Sequence, residues 1–92
     1  MTPTMPTMLV DILSSLEMDA LRVEAQAYDP YWDGQEDMRA LFLADAADIR
    51  KVAKFCKEGD WKSASNTMYH MDTAARDEIN DKSYNYIREI YS

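Results

Sequence analysis

The sequence has little cysteine, glycine or proline, and it lacks a long hydrophobic run. Cys56 is the single cysteine among 92 residues, so a disulfide within the chain is excluded and a reducing, cytoplasmic setting is expected. Two glycines and three prolines leave few residues that break helices. The apolar run at residues 8–10 is interrupted by Asp11, so neither a signal peptide nor a membrane span is expected.

Motifs of recognised chemistry are also missing. The sequence contains no phosphate-binding loop, nucleophile elbow, Cys–His zinc pattern or basic–aromatic signature of nucleic-acid binding. His70 is the only histidine, and no serine or cysteine nucleophile stands beside it in the sequence. We therefore expect a protein that is not an enzyme and that has no metal site and no cofactor.

Positive charge is scarce, above all in the first half of the chain. The net charge is −7, from 10 basic and 17 acidic residues. Residues 1–48 carry ten acids and only two bases, Arg22 and Arg39, for a net charge of −8. Residues 49–92 carry eight bases and seven acids, for a net charge of +1. This distribution argues against direct binding to nucleic acid or to a membrane surface and indicates a partner with a basic surface.

Apolar residues recur at helical spacing through most of the sequence. Two stripes at steps of three and four comprise Leu9, Leu13, Leu16, Ala20, Val23 and Ala27, and then Met38, Phe42, Ala46, Ile49, Ala53 and Cys56. The first helix is predicted to begin near Thr7, after a disordered lead-in at residues 1–6, and to end before Pro30. Ser14 and Glu17 have the spacing of a capping box that would restart a helix, but we prefer one helix here.

Turn and capping residues separate the later helices. Asp33 is the predicted N-cap of the second helix, with Glu36 at the capping-box position three residues later. Gly59 is expected to end that helix and Asp60 to cap the third, which predicts an antiparallel helical hairpin. Two shorter helices are predicted to begin at Asp72 or Thr73, and at Asn80, Asp81 or Ser83.

No alternating apolar segment of useful length indicates a β-strand. The predicted fold class is therefore all-α, with a single domain over residues 1–92. Its expected architecture is a compact bundle of three to five helices with a central antiparallel helical hairpin.

The segment YDPYWDGQEDM, residues 28–38, is dense in aromatic and acidic residues. Read as an EF-hand loop from Asp29, it has Gly34 at the sixth position, but Tyr31 and Ala40 replace required oxygen ligands, so calcium binding is not expected. Two interpretations remain open. The segment is either a capped loop whose aromatics pack on the core, or an exposed contact surface, since tyrosine and tryptophan are enriched at binding hot spots.

Asp45 and Asp48 share one face of the second predicted helix. No histidine accompanies them as a metal ligand would, and two like charges at this spacing cost about a few tenths of a kcal/mol. They form either a solvated acidic face or a contact for a partner. The predicted partner-binding residues combine this pair with the preceding segment: Asp29, Tyr31, Trp32, Asp33, Glu36, Asp37, Asp45 and Asp48.

In size, acidity and lack of catalytic motifs, the chain resembles the small acidic inhibitors encoded by bacteriophages, including anti-CRISPR and DNA-mimic proteins. The resemblance is one of overall character, so no residue is carried over from it. It implies a stoichiometric inhibitor of a host nucleic-acid-binding defence complex, acting in the host cytoplasm. The alternatives are a helical module that self-associates, for example as a homodimer, and a small adaptor that docks a peptide in a helical groove.

Overall fold

The computed structural model describes the backbone of residues 4–91 and the side chains of residues 8–90. Its elements are α1 (Thr4–Ala27), a 3₁₀ turn (Pro30–Trp32), α2 (Glu36–Lys57), α3 (Trp61–His70), α4 (Thr73–Glu78) and α5 (Asp81–Tyr91). Within residues 4–91 there are five α-helices and no strand. The prediction of an all-α bundle of three to five helices is therefore confirmed.

The first helix is continuous across Ser14, as preferred from the sequence, so the capping-box restart does not occur. It begins at Thr4 rather than at Thr7, and residues 4–6 of the predicted disordered lead-in are helical. Residues 1–3 of that lead-in lie outside the described part of the chain.

Pro30 ends α1 as predicted. Asp29, the residue before the proline, has extended backbone angles (φ −63°, ψ 131°). Its carboxylate accepts the backbone N–H of Tyr31 at 2.9 Å and so caps the 3₁₀ turn that follows. The connection between α1 and α2 is therefore an ordered turn that holds its aromatic residues in defined positions.

The predicted cap of α2 is wrong. The helix begins at Glu36 with Gln35 in the N-cap position and no side-chain cap bond. Asp33 instead ends the 3₁₀ turn, where its backbone N–H donates to the carbonyl of Pro30 at 3.0 Å. The fixed φ of proline favours this separate turn, and Gly34, with φ at +81°, then redirects the chain before α2 starts.

The predicted turn between α2 and α3 is confirmed. Gly59 has φ at +77°, and the N–H of Asp60 donates to the carbonyl of Phe55 at 2.9 Å, as in a Schellman motif. The carboxylate of Asp60 accepts the N–H of Ser63 at 3.1 Å and caps α3. Because the link is so short, α2 and α3 pack together as a helical hairpin.

The two short helices begin where predicted. Asp72 precedes α4, and α5 follows Asn80, whose side-chain oxygen accepts the N–H of Ser83 at 2.9 Å. The α4–α5 junction at Ile79 and Asn80 packs against the middle of α1, through a contact to Asp19.

All five helices contribute to one core. Its buried members are Ile12, Leu16, Ala20, Val23, Ala46, Ile49, Val52, Cys56, Ala64, Met68, Met71, Ala75, Ile79 and Ile87. The predicted stripes omitted Ile12 and Val52, because each long helix contacts more than one neighbour and buries a broader face than a single stripe. Cys56 is fully buried, and burial raises the pKa of its thiol to about 12, so it is an unreactive core residue.

Candidate partner-binding surface

The aromatic residues of the α1–α2 connection form a stepped cluster. The ring of Trp32 is partly buried and packs on Phe42, with 5.6 Å between ring centroids. The ring of Tyr31 meets Trp32 edge to face at 4.7 Å, and Tyr31 is 74% exposed. Trp32 thus anchors the cluster to the core, whereas Tyr31 presents its ring to solvent.

Arg39 holds the acidic residues of the same end together. Its Nε donates to the carbonyl of Ala27 at 2.6 Å, at the last residue of α1. Its Nη1 and Nη2 lie 3.3 and 3.2 Å from carboxylate oxygens of Glu36 and Asp33. Both carboxylates are about three-quarters exposed, so these ion pairs contribute little to stability. Their main effect is to fix where the two carboxylates lie.

Asp29 and Asp37 are exposed, and within the described residues neither forms an ion pair. The end of the α1–α2 pair therefore carries four carboxylates and one arginine, for a local net charge of −3. We call this region the acidic tip: Asp29, Tyr31, Trp32, Asp33, Glu36, Asp37 and Arg39. It brings together six of the eight predicted partner-binding residues.

Asp45 and Asp48 lie elsewhere, about 12 and 16 Å along α2 from Asp37. Burial raises the pKa of Asp45, and the negative charges of Asp72, Asp48 and Glu78 raise it further. We call these four carboxylates the acidic flank; Glu78 is also paired with Arg22 of α1, at 3.2 Å. Asp72 and Glu78 were not predicted from the sequence, because a helical pattern does not indicate which residues of α4, or of the turn before it, lie close to α2.

Neither acidic group has the arrangement of a metal site. Among the described residues, no group of three His, Cys, Asp or Glu side chains is placed to hold a metal ion. His70 is exposed at the end of α3 and lines an open cavity of about 240 Å³ together with Asp48 and Lys51.

Three other acids of the first half are engaged inside the fold. Arg50 binds Glu24 at 2.8 Å and Glu17 at 3.6 Å, and its hydrogen bond lowers the pKa of Glu24. Asp19 is only 5% exposed and accepts hydrogen bonds from Arg22 and Asn80. Apart from Asp11, which is exposed on α1, the remaining acids of the first half lie in the acidic tip and the acidic flank.

Within residues 4–91, no helix combines the length and apolar character needed to cross a bilayer. Comparisons of the chain with known protein families, curated proteins and solved structures find no match. The functional proposal therefore rests on the geometry of the surface.

Proposed function

We propose that this chain is a non-catalytic inhibitor that binds a larger protein or nucleoprotein complex through its acidic tip. The tip occupies a basic site of that complex that otherwise receives nucleic acid. By the resemblance to phage inhibitors, the target is a host defence complex, of the CRISPR type or another, in the host cytoplasm. The observation that carries the proposal is that Arg39 holds two exposed carboxylates of the tip, while two unpaired carboxylates and the exposed ring of Tyr31 lie on the same connection between α1 and α2.

Electrostatic attraction brings the acidic tip and the partner together. A local charge of −3 steers the tip toward a cationic cleft, and this steering weakens as salt screens it. The carboxylates of Asp33 and Glu36 are already positioned by Arg39, so they offer fixed acceptors where a nucleic acid would offer phosphate oxygens.

Tyr31 supplies the short-range contact. Exposed tyrosines bring large, stiff contact area at little entropic cost and are frequent at hot spots. The edge-to-face contact with Trp32, itself held by Phe42, orders the ring before a partner arrives. Such preorganisation reduces the entropy lost on binding.

The acidic flank extends the negative surface along α2. Asp45 remains in a partly buried position beside three other carboxylates, an arrangement that costs stability. Retaining unfavourable charge is a common property of functional surfaces. We infer that Asp45 and Asp48 make a second contact with the same partner.

The decisive experiment first isolates the partner from a host lysate and then measures its affinity for variants of this chain. The double variant Y31A/D37K removes the exposed ring and reverses an unpaired charge, while the contact of Trp32 with Phe42 and the ion pairs of Arg39 remain. We expect at least about tenfold weaker binding. Wild-type binding is expected to weaken with rising salt and to be displaced by a double-stranded oligonucleotide.

The matched control is Y69A/D11K, which makes the same two changes at an exposed tyrosine and an exposed acid outside the tip. It should bind within about twofold of wild type. Binding that survives Y31A/D37K, or that the oligonucleotide does not displace, would contradict the proposal.

A self-associating module is the second candidate, and one observation favours it. Val10, Met18 and Leu21 are 60%, 65% and 45% exposed and lie on one side of α1, within about 80° of helical rotation. An apolar dimer through this side would persist at high salt, unlike the electrostatic complex. Sedimentation at low and high salt separates the two candidates.

A further inference from the structure

Two arginines line one pocket between α3, α4 and α5. The pocket has a volume of about 220 Å³ and is lined by Ser65, Met68, Tyr69, Arg76, Tyr84 and Arg88. None of these residues belongs to the acidic tip or the acidic flank. In a chain of net charge −7, a pocket with two arginines and no carboxylate in its lining is a distinct local environment.

Arg76 is not satisfied by its surroundings. Its Nε is buried and has no hydrogen-bond partner among the described residues, and its Nη2 reaches only the carbonyl of Met71 at 3.4 Å. Asp77 and Asp81 line an adjoining cavity of about 330 Å³ with Arg76, yet neither forms an ion pair with it in the described structure. A buried donor on a charged group costs free energy when it is left unsatisfied, so the fold does not use the full donor capacity of Arg76.

Arg88 approaches the same pocket from α5. Its guanidinium donates to the hydroxyl of Tyr84 at 3.3 Å and lies 5.6 Å from the centroid of that ring. This cation–π contact holds the planar group in place while leaving other N–H donors available. Tyr69, 75% exposed, completes the rim.

We propose that this pocket binds a phosphate monoester, with Arg76 and Arg88 holding the phosphate oxygens. Guanidinium groups match phosphate geometry through several N–H donors, and the terminal nitrogens of Arg76 and Arg88 offer such donors to a group in the pocket that both residues line. The volume is below the roughly 300–1,000 Å³ of pockets for drug-sized ligands, and it suits one phosphate group with a small substituent. Tyr69 and Tyr84 offer aromatic surface to that substituent.

The test is an NMR titration of the full chain with inorganic phosphate and with phenyl phosphate, at constant ionic strength maintained with sodium chloride. The side-chain Nε–H signals of Arg76 and Arg88 report on the two guanidinium groups that line the pocket. We expect saturable shifts with affinities in the millimolar range, about −4 kcal/mol in binding free energy. Tighter binding of phenyl phosphate than of inorganic phosphate would support a monoester whose substituent contacts the tyrosine rings. Equal binding of the two compounds would show that the pocket recognises the phosphate group alone.

The variant R88Q removes one exposed cation and leaves the partly buried Arg76 in place, and we expect it to weaken binding about tenfold. The control K82Q makes the same charge change at an exposed residue of α5 outside the pocket lining. A titration in which the Arg76 signal does not move, or in which K82Q weakens binding as much as R88Q, would overturn the proposal. The result is independent of the proposed inhibitor function, which concerns other residues.

Discussion

At the scale of single residues, Asp19 shows how burial changes what a carboxylate can do. Its Oδ2 accepts the backbone N–H and the side-chain N–H of Asn80, both at 3.0 Å, and its Oδ1 accepts from Arg22 at 3.1 Å. Arg22 also donates to the carbonyl of Glu78 at 2.7 Å. Asp19 therefore joins the middle of α1 to the α4–α5 junction, and its charge is not available to a partner.

We expect D19A to lower the free energy of unfolding by about 3 kcal/mol, because it leaves the donors of Arg22 and Asn80 without their acceptor. Urea denaturation followed by circular dichroism measures the change. D11A removes an exposed acid from the same helix and should change stability by less than about 0.5 kcal/mol. Equal effects of the two substitutions would show that Asp19 has no structural role.

At the scale of elements, the two ends of α2 show when local sequence predicts a helix boundary. Gly59 and Asp60 act on groups within five residues of themselves, so the pattern was sufficient to place the turn. At the other end of α2, Asp33 is a residue type that often caps helices. In the structure, however, Pro30 begins a separate 3₁₀ turn, and Asp33 ends that turn instead of capping α2. The capping signal of Asp33 and the turn signal of Pro30 compete there, and residue type alone does not show which of the two prevails.

We expect G59A to destabilise the protein by about 1 kcal/mol, because alanine disfavours the left-handed φ of +77° at this position. A Cβ at this position would meet no heavy atom within 4 Å, so the cost is conformational rather than steric. G59N is the control, since asparagine tolerates this conformation better and should lose less stability. Chemical denaturation of both variants measures the stability that each one loses. Equal losses for G59A and G59N would show that the left-handed backbone conformation is not the cause.

At the scale of the whole molecule, packing divides nine of the ten acids of the first half into three groups, and the tenth, Asp11, is exposed on α1. Glu17, Asp19 and Glu24 are engaged by arginines within the fold. The acidic tip keeps an excess of charge at the α1–α2 connection, and the acidic flank keeps a second group along α2, shared with α4. The uneven distribution of charge along the sequence therefore produces two separate negative surfaces in the fold, and not one continuous negative half of the molecule.

We expect D45N to raise the free energy of unfolding by about 0.5 kcal/mol at pH 7. The pKa of Asp45 is raised in the fold by burial and by neighbouring carboxylates, so its ionised form is unfavourable at neutral pH. As the pH falls through this raised pKa, wild-type Asp45 becomes neutral in the folded protein and the difference from D45N shrinks; it disappears below the ordinary carboxyl pKa, where Asp45 is neutral in the unfolded chain as well. Denaturation of both proteins across the acid range measures the effect.

The same substitution tests the role of the flank in the proposed complex. If Asp45 contacts the partner, D45N binds more weakly although it is more stable. D11N, the matched change at an exposed acid of α1, should alter neither property. A D45N variant that is less stable than wild type at pH 7 would contradict this description of the flank.

The sequence by itself determined the helices, most of their ends and the presence of one core. These features depend on interactions between groups three to five residues apart, such as the Asp60 cap and the Gly59 turn. A local sequence pattern is therefore enough to predict them. The aromatic and acidic composition of residues 28–38 was visible for the same reason, whereas the sequence left open whether its aromatic rings pack on the core or are exposed.

Only the tertiary structure decided which charges remain free. Glu24 meets Arg50 across 26 residues of sequence, and Asp19 meets Asn80 across 61, so no local signal distinguishes these acids from those of the tip. The arginine pocket likewise requires α3, α4 and α5 to be packed together. Electrostatic and hydrogen-bond partners are set by distance in space, and packing alone brings residues so far apart in sequence within reach of one another.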